Sequence, residues 1–427
     1  MKLSDIANVL NSKLYGEDKE IKGFSTDSRT IREGELFIAL RGENFNGEDF
    51  VEDALNKGAV GAIVSLNFKK NLNQIIKVED TLLSLLKLAK FYRDNYLRNT
   101  KIIAVLGASG KTTTKEMLYR IFSNFYKTYK SPKSYNNHIG VPLTILNTPK
   151  DSDFLILEIG TNHKNEIDHL GSISKPKYAI ITNIGPEHIE FFGSIDEIAK
   201  EELSIFKYAE VGFMRSEDYE NYGYLVKNKK IFTFDLKNYK VEFLEIGVKL
   251  YVNSHCLKFL NYGWLENSIG VFEVCKFFNI KEPYKFLKDF KSEAMRMEII
   301  KYKNFEIIND AYNSNPLSLR ALLYSVKPSR KNVFIIGDMF ELGNLSKFYH
   351  REIAKHILNL GHNRVIFIGN FVKYAYEELK DKIECYYFQD KEKAVKFLRI
   401  YLKPNDRIIL KASRGMKFEE ILNSLFD

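Results

Sequence analysis

The run GASGKTTT, Gly107 to Thr114, carries the residue types that bind a polyphosphate. It follows the apolar segment KIIAVL and opens a helical one. The backbone N–H groups of Gly107, Ala108, Ser109 and Gly110 and the helix N-terminus are therefore expected to face an anion. Lys111 is expected to reach the terminal phosphates of a nucleotide, and the hydroxyl of Thr112 or Thr113 to ligate Mg2+. The spacing departs from GxxxxGKS/T at one place, since Val105 stands five residues before Gly110. At the ends of two further apolar segments stand Glu158 in LILEIGTNH and His188 in TNIGPEHIE. A carboxylate and an imidazole beside a phosphate loop suit a second divalent ion that bridges a phosphate and a substrate oxygen. Each also has a plainer reading, as a solvated or helix-capping group at a strand end.

Strands that end in polar residues and follow one another in a βαβ rhythm predict a mostly parallel α/β sheet with ligand groups at the strand C-termini. Residues 1–80 read as a small α/β unit, with a first helix and short strands around GELFIAL and GAVGAIVS. Residues 81–293 read as a central domain: the helical TLLSLLKLAKFYRDNYL, the strand and phosphate loop, and strands at DFLILEIG and YAIITNIG. The stretch from about Phe232 to Leu260 is expected to be a β-rich decoration. Residues 294–427 alternate FEIINDAYN, KNVFIIGDMFELG, RVIFIGN, IECYYF and DRIILKASRG with helical stretches, which predicts a smaller Rossmann-like domain.

A chain of 427 residues exceeds what one core usually supports, which agrees with three domains. With 45% hydrophobic and 28% charged residues and 9 prolines, it has the apolar surface to fold throughout. The net charge of +9 is spread along the sequence, so a nucleic-acid partner is not expected. Three cysteines (Cys256, Cys275, Cys385), far apart and without a CxxC pair, indicate neither a disulfide framework nor a zinc site. The start MKLSDIANVLNSKLYG lacks a signal-peptide pattern, and no apolar run reaches transmembrane length. A cytoplasmic protein without stable membrane association is expected.

The series GASGKTTTKE, NNHIGVPLTIL, LEIGTNHKNEI, TNIGPEHIEFFGS, NDAYNSNP and GDMFELG, in that order, resembles the Mur ligases. TDSRTIREGELFIALRGENFNGEDFVEDAL near the start and KASRGMKFEEIL near the end extend the resemblance over nearly the whole chain; a DNPR motif, typical of the sibling that adds the third amino acid, is absent. The resemblance implies an ATP-dependent amide ligase joining D-alanyl-D-alanine to UDP-N-acetylmuramoyl-tripeptide through an acyl phosphate, acting as a monomer in peptidoglycan precursor synthesis. It also implies an N-terminal UDP-binding domain, a central ATPase domain and a C-terminal domain that closes over ATP. Two other readings remain beside it: an amide ligase of the folylpolyglutamate or another Mur type, and a nucleotide-switched binding protein, which leaves the N-terminal segment unexplained.

Carried over by matching motif, Thr112 or Thr113 holds a first Mg2+, and Glu158 and His188 hold or position a second. Asn267 in WLENSIGVFEVC resembles an adenine-contacting Asn, although Gly263 and Trp264 stand where the family has His and Asn. Arg296 resembles an Arg that reaches the phosphates, and Asp310, Tyr312 and Asn313 lie in the motif that meets the nucleotide from the C-terminal domain. Ser28 and Arg29, with Arg41 and Gly42, resemble the site for the UDP moiety. Asn137 and His138 in NNHIG are expected on the substrate side. Where the family carries a carbamylated lysine that bridges Mg2+, this chain has Glu202, an anionic oxygen ligand of shorter reach. Glu202 is expected to serve the same ion, directly or through water. Lys200, two residues away, lies about 200° round the helix. Asp338 and Glu341 are expected to orient the incoming amine or hold the closed form. Ser413 and Arg414 either receive the dipeptide carboxylate or a phosphate, or Ser413 simply caps a helix.

Overall fold

The computed structural model describes residues 1–43, 45–291 and 293–426. Strands that are apolar at every position need cover on both faces, and they lie inside parallel sheets sandwiched by helices. Phe154–Glu158 and Tyr178–Ile181 are buried throughout. They belong to a six-stranded parallel sheet ordered Lys230–Phe234, Val211–Arg215, Tyr178–Ile181, Lys101–Leu106, Phe154–Glu158 and Thr128–Lys130. From Lys101–Leu106 the chain builds Phe154–Glu158 on one side and Tyr178–Ile181 on the other. A crevice therefore opens beyond the C-terminal ends of these three strands. Gly107, Glu158 and Thr182–Asn183 occupy those ends.

The N-terminal sheet is ordered Leu14–Tyr15, Ile75–Val78, Gly61–Ser65, Glu35–Ile38 and Gly23–Ser25, with the first pair antiparallel and the rest parallel. The C-terminal sheet is ordered Glu298–Tyr302, Phe305–Asn309, Arg407–Lys411, Asn332–Gly337, Arg364–Ile368 and Glu384–Phe388, again with only its first pair antiparallel. The decoration expected from Phe232 begins later. Lys230–Phe234 is an edge strand of the central sheet, and a three-stranded antiparallel meander follows at Lys240–Phe243, Val248–Val252 and His255–Phe259.

Helix Thr81–Asn95 starts where the Asp80 carboxylate accepts the Leu83 amide at 2.8 Å. Its stripe of Leu85, Leu88, Ala89 and Tyr92 is buried, at the 3–4 residue spacing of one helix face. That stripe joins Leu3 and Ile6 of the first helix to Ile102 and Leu155 of the central sheet in one apolar cluster. A second cluster runs from Val105 and Met117 to Phe334 and Ile336 of the C-terminal sheet. The packing therefore ties the three sheets together and holds both faces of the crevice in register. Among the described residues, no helix is long and apolar enough to cross a membrane.

Candidate active site

The phosphate loop depends on two glycines in the left-handed region, Gly107 at φ 115° and Gly110 at φ 90°. A Cβ at Gly107 would collide with Thr182 Oγ1, and one at Gly110 with the Asn267 amide. The loop is held from below by the strand Tyr178–Ile181 and the residues after it. The Ala108 amide donates to Asn183 O at 3.0 Å, the Ser109 amide to Asn183 Oδ1 at 2.9 Å, and Thr182 Oγ1 to Ser109 O at 2.7 Å. From the C-terminal domain, Asn315 Nδ2 donates to Ala108 O at 3.1 Å. Helix Lys111–Phe122 then begins at Gly110 with no side-chain cap, which leaves its first amides for a ligand.

The loop, NNHIG and the NDAYNSNP segment line one cleft of about 470 Å3. Lys111 Nζ lies in it, 2.6 Å from Gly107 O and 2.8 Å from Glu187 Oε2. Burial pulls the Lys111 pKa down, but the charges of Glu187 and Glu202 outweigh it and leave it raised. Thr112 lines the cleft and Thr113 does not, although both are buried in the helix. Of the two hydroxyls considered for Mg2+, the structure therefore presents Thr112. Glu158 is almost fully buried; its Oε1 accepts from Thr112 Oγ1 at 3.2 Å and from Asn136 Nδ2 at 3.0 Å. Its Oε2 is 3.2 Å from the Lys115 ammonium, an ion pair without hydrogen-bond geometry.

His188 also borders the cleft, at φ 52°, but its ring is engaged. Nδ1 is 2.5 Å from Glu341 Oε2, and Nε2 is 3.8 Å from Glu187 Oε1. Burial lowers the imidazole pKa, and the contact with Glu341 and the charges of Glu187 and Glu341 more than reverse that, so it is raised. As arranged here, His188 and Glu341 fasten the C-terminal domain to the central one, aided by the Glu190 amide donating to Glu341 O at 3.0 Å.

Glu202 is not in the cleft. Its Oε2 accepts the Gly107 amide at 3.0 Å from beneath the loop, and burial pushes its carboxyl up to about 7. As arranged here, its carboxylate supports the loop. Asp338 is likewise buried and committed: it accepts the amides of Asn370, Phe371 and Val372, each at 2.8 Å. Ser413 accepts the Phe340 amide at 2.8 Å and donates to Ser314 O at 3.2 Å, so its side chain makes no capping bond to the short helix Arg414–Met416 that it precedes. Arg414 pairs with Glu419 at 3.0 Å on the surface.

Arg296 reaches from the domain junction, with Nη2 3.4 Å from Thr112 Oγ1 and its guanidinium 4.1 Å over the Tyr312 ring. Asn313 lines the same cleft. Asp310 lies behind it, 2.7 Å from Lys411 Nζ. Asn137 and His138 also line it, and Asn137 Oδ1 accepts the amides of Ile139 and Gly140 at 3.1 and 2.9 Å. Asn267 faces a second cavity of about 200 Å3 on the other side of Ser109, lined also by Asn183, Tyr262, Leu317 and Arg320. In the N-terminal domain, Arg29 pairs with Asp27 at 2.8 Å, Ser28 is buried, and Arg41 forms an isolated backbone bridge with Asn46. None of the three borders the cleft.

Sequence reasoning missed Asn136, Lys115, Asn183 and Glu187, which hold Glu158, the loop and Lys111. Asn136, Asn183 and Glu187 sit one to five residues from residues singled out above. Lys115 lies on the loop's own helix four residues after Lys111, and no local signal marks it as buried.

The description "Mur ligase middle domain" matches residues 105–277, "Mur ligase, glutamate ligase domain" residues 295–414, and "Mur ligase family, catalytic domain" residues 20–93. Among curated proteins, the chain is 32% identical over 452 residues to the UDP-N-acetylmuramoyl-tripeptide--D-alanyl-D-alanine ligase of Bacillus subtilis, covering 100% of this chain and 98% of that protein. It is 31% identical to the enzyme of the same name from Rickettsia prowazekii, over 93% of each. Among solved structures, MurF from Acinetobacter baumannii superposes with a TM-score of 0.84 at 25% identity, covering 99% of this chain and 98% of that one. MurF from Thermotoga maritima in complex with ADP superposes with a TM-score of 0.80 at 27% identity, covering 95% and 97%.

Proposed function

This chain belongs to the Mur ligase family, and from that premise we propose that it joins D-alanyl-D-alanine to UDP-N-acetylmuramoyl-tripeptide at the expense of ATP, in the cytoplasm. The observation that carries the reading is that NDAYNSNP closes onto the phosphate loop, through Asn315 to Ala108 O, in a chain that matches its named relatives over its full length. A phosphate site on its own fits many NTPases; a phosphate site shut by that segment fits a ligase that must keep water from an activated acid.

The acceptor carboxylate attacks the γ-phosphorus of ATP, the bond to the bridging oxygen of ADP breaks, and an acyl phosphate forms. The dipeptide amine then attacks the acyl carbon and phosphate leaves, the amine giving up a proton. The first step drives a carboxylate towards a triphosphate, so the chain must offset like-charge repulsion and fix the approach. Lys111 supplies a buried positive charge at the phosphate end, and the amides that open helix Lys111–Phe122 bind phosphate oxygens. Asn137 and His138 line the side from which the acceptor arrives, and the pairing of His188 with Glu341 keeps the C-terminal domain in place during both steps.

The residues present fit a divalent cation. Among the described residues no group of three or more His, Cys, Asp or Glu side chains forms a cage. Mg2+ does not need one, because it is usually held by one or two carboxylates, a hydroxyl, water and substrate phosphates. The Glu158 carboxylate, whose Oε1 meets Thr112 while its Oε2 faces Lys115, and the Thr112 hydroxyl are oxygen donors of that kind. When bound, the ion would neutralise phosphate charge.

Phosphate release from ATP, with the UDP-linked tripeptide and D-alanyl-D-alanine each present or omitted, tests the reading. Release that requires both substrates, and stops when a chelator removes Mg2+, is the expected result. Release indifferent to both, or driven by another amino acid, overturns the substrate.

A further inference from the structure

Lys411 is a buried ammonium with more donors than acceptors. It ends strand Arg407–Lys411, is 4% exposed, and lines the cleft together with Lys111, Thr112 and Arg296. An ammonium carries three N–H donors. Among the described residues, one acceptor meets them, Asp310 Oδ2 at 2.7 Å. Asp310 is itself fixed, its Oδ1 accepting the Met297 amide at 3.0 Å. Arg296 stands next to this pair, with no carboxylate partner among the described residues and with its buried Nε unmatched. The carboxylate of Asp310 thus pairs with Lys411 alone, and among the described residues the Arg296 charge is left unanswered. Burial lowers the Lys411 pKa and the Arg296 charge lowers it further, while Asp310 opposes both. Such an arrangement is costly unless an anion completes it.

Its position says which anion. Arg296 reaches Thr112 in the first turn of the phosphate-loop helix, so the pair of cations stands at the phosphate end of the cleft. We infer that Lys411 is a catalytic residue of the first step: with Arg296 it binds the oxygens of the γ-phosphoryl group as that group passes from ATP to the acceptor carboxylate. The bond from phosphorus to the β–γ bridging oxygen breaks and the bond to the carboxylate oxygen forms. Asp310 positions Lys411. The inference rests on reading the cleft as the ATP site.

Binding of ADP and of β,γ-imido ATP to the full-length chain, each with Mg2+, separates the two ideas. Lys411→Met should bind ADP within twofold of the wild type, bind the imido analogue at least tenfold more weakly, and release phosphate at least 100-fold more slowly. Lys411→Arg, which keeps the charge, should recover at least a tenth of the turnover. The double variant Asp310→Asn/Lys411→Met leaves no orphaned carboxylate and should show the same selective loss, which guards against a folding defect in the single variant. Unchanged affinity for the analogue, or equal weakening of ADP and analogue, overturns the role of Lys411 alone. A wild-type chain that binds neither nucleotide overturns the reading of the cleft and this role with it.

Discussion

The carboxylate of Glu202 accepts the amide of Gly107 at 3.0 Å and does not line the cleft. Burial drives its pKa up to about 7, Lys111 pulls it down, and Glu187 adds to the rise. The folded state therefore holds this proton more tightly than the unfolded one, whose carboxyl has the ordinary value of 4.5. The resulting stabilisation is fully present below pH 4.5 and is lost as pH rises through about 7. Glutamine at this position stays neutral and its oxygen still accepts from Gly107. Glu202→Gln should match the wild type in thermal unfolding near pH 4.5 and exceed it above pH 7, by at most about 3 kcal/mol. Its Mg2+ requirement for ATP cleavage should not change. A tenfold rise in that requirement would restore Glu202 to the cation.

The contact between His188 and Glu341 makes a different pH prediction. The His188 pKa is raised from its ordinary 6.5 and that of Glu341 lowered from 4.5. The His188 share of the stabilisation is full below pH 6.5 and fades as pH climbs through the raised value. The Glu341 share is full above pH 4.5 and fades as pH falls through the lowered one. Glu341→Gln should therefore lower the unfolding temperature most between these values and least at pH 9. Glu341 is 44% exposed, so solvent screening holds the effect to about 1 kcal/mol. A deficit that grows at alkaline pH would show that the pair is not an ion pair.

Gly110→Ala tests the loop geometry. The new methyl would sit in the left-handed region and against the Asn267 amide, so both the loop and the wall of the second cavity must shift. ADP affinity should drop at least tenfold while the thermal transition stays cooperative. Normal ADP binding would mean that neither Gly110 nor Asn267 shapes the nucleotide site.

The parallel strands and the phosphate loop were legible because their signals are local: an apolar run, then glycines, lysine and hydroxyls, then a helix. The strands Val211–Arg215 and Lys230–Phe234 were not, because Gly212 and the partly exposed Ile231 and Phe232 blur the apolar pattern at the sheet edge. Side-chain direction was the harder matter. Glu158 lies at a strand end and points where its position implies, but Asp338, at a similar strand end, turns to cap the segment after Gly369. Whether a carboxylate meets a ligand or three amides depends on a loop about 30 residues further along the chain, and no local pattern carries that. Lys115 was overlooked for the opposite reason: a lysine on a helix normally faces water, and only the packed structure puts this one inside.

Lys115 is completely buried, with its ammonium 3.2 Å from Glu158 Oε2 and 3.6 Å from Glu116 Oε1. A buried ion pair contributes little net stability, yet removing one partner leaves the other charge desolvated and uncompensated, at a cost of about 3–5 kcal/mol. Lys115→Met should therefore lower stability by about that amount in denaturant titration. If the loss comes from stranding Glu158, adding Glu158→Gln should return most of it, since the double variant buries no unpaired charge. If instead the lysine stem matters for packing, methionine of similar length already fills the space, and the single variant will be nearly as stable as the wild type. Recovery in the double variant would fix Lys115 as the residue that holds the Glu158 carboxylate against Thr112, the arrangement on which cation binding at this cleft depends.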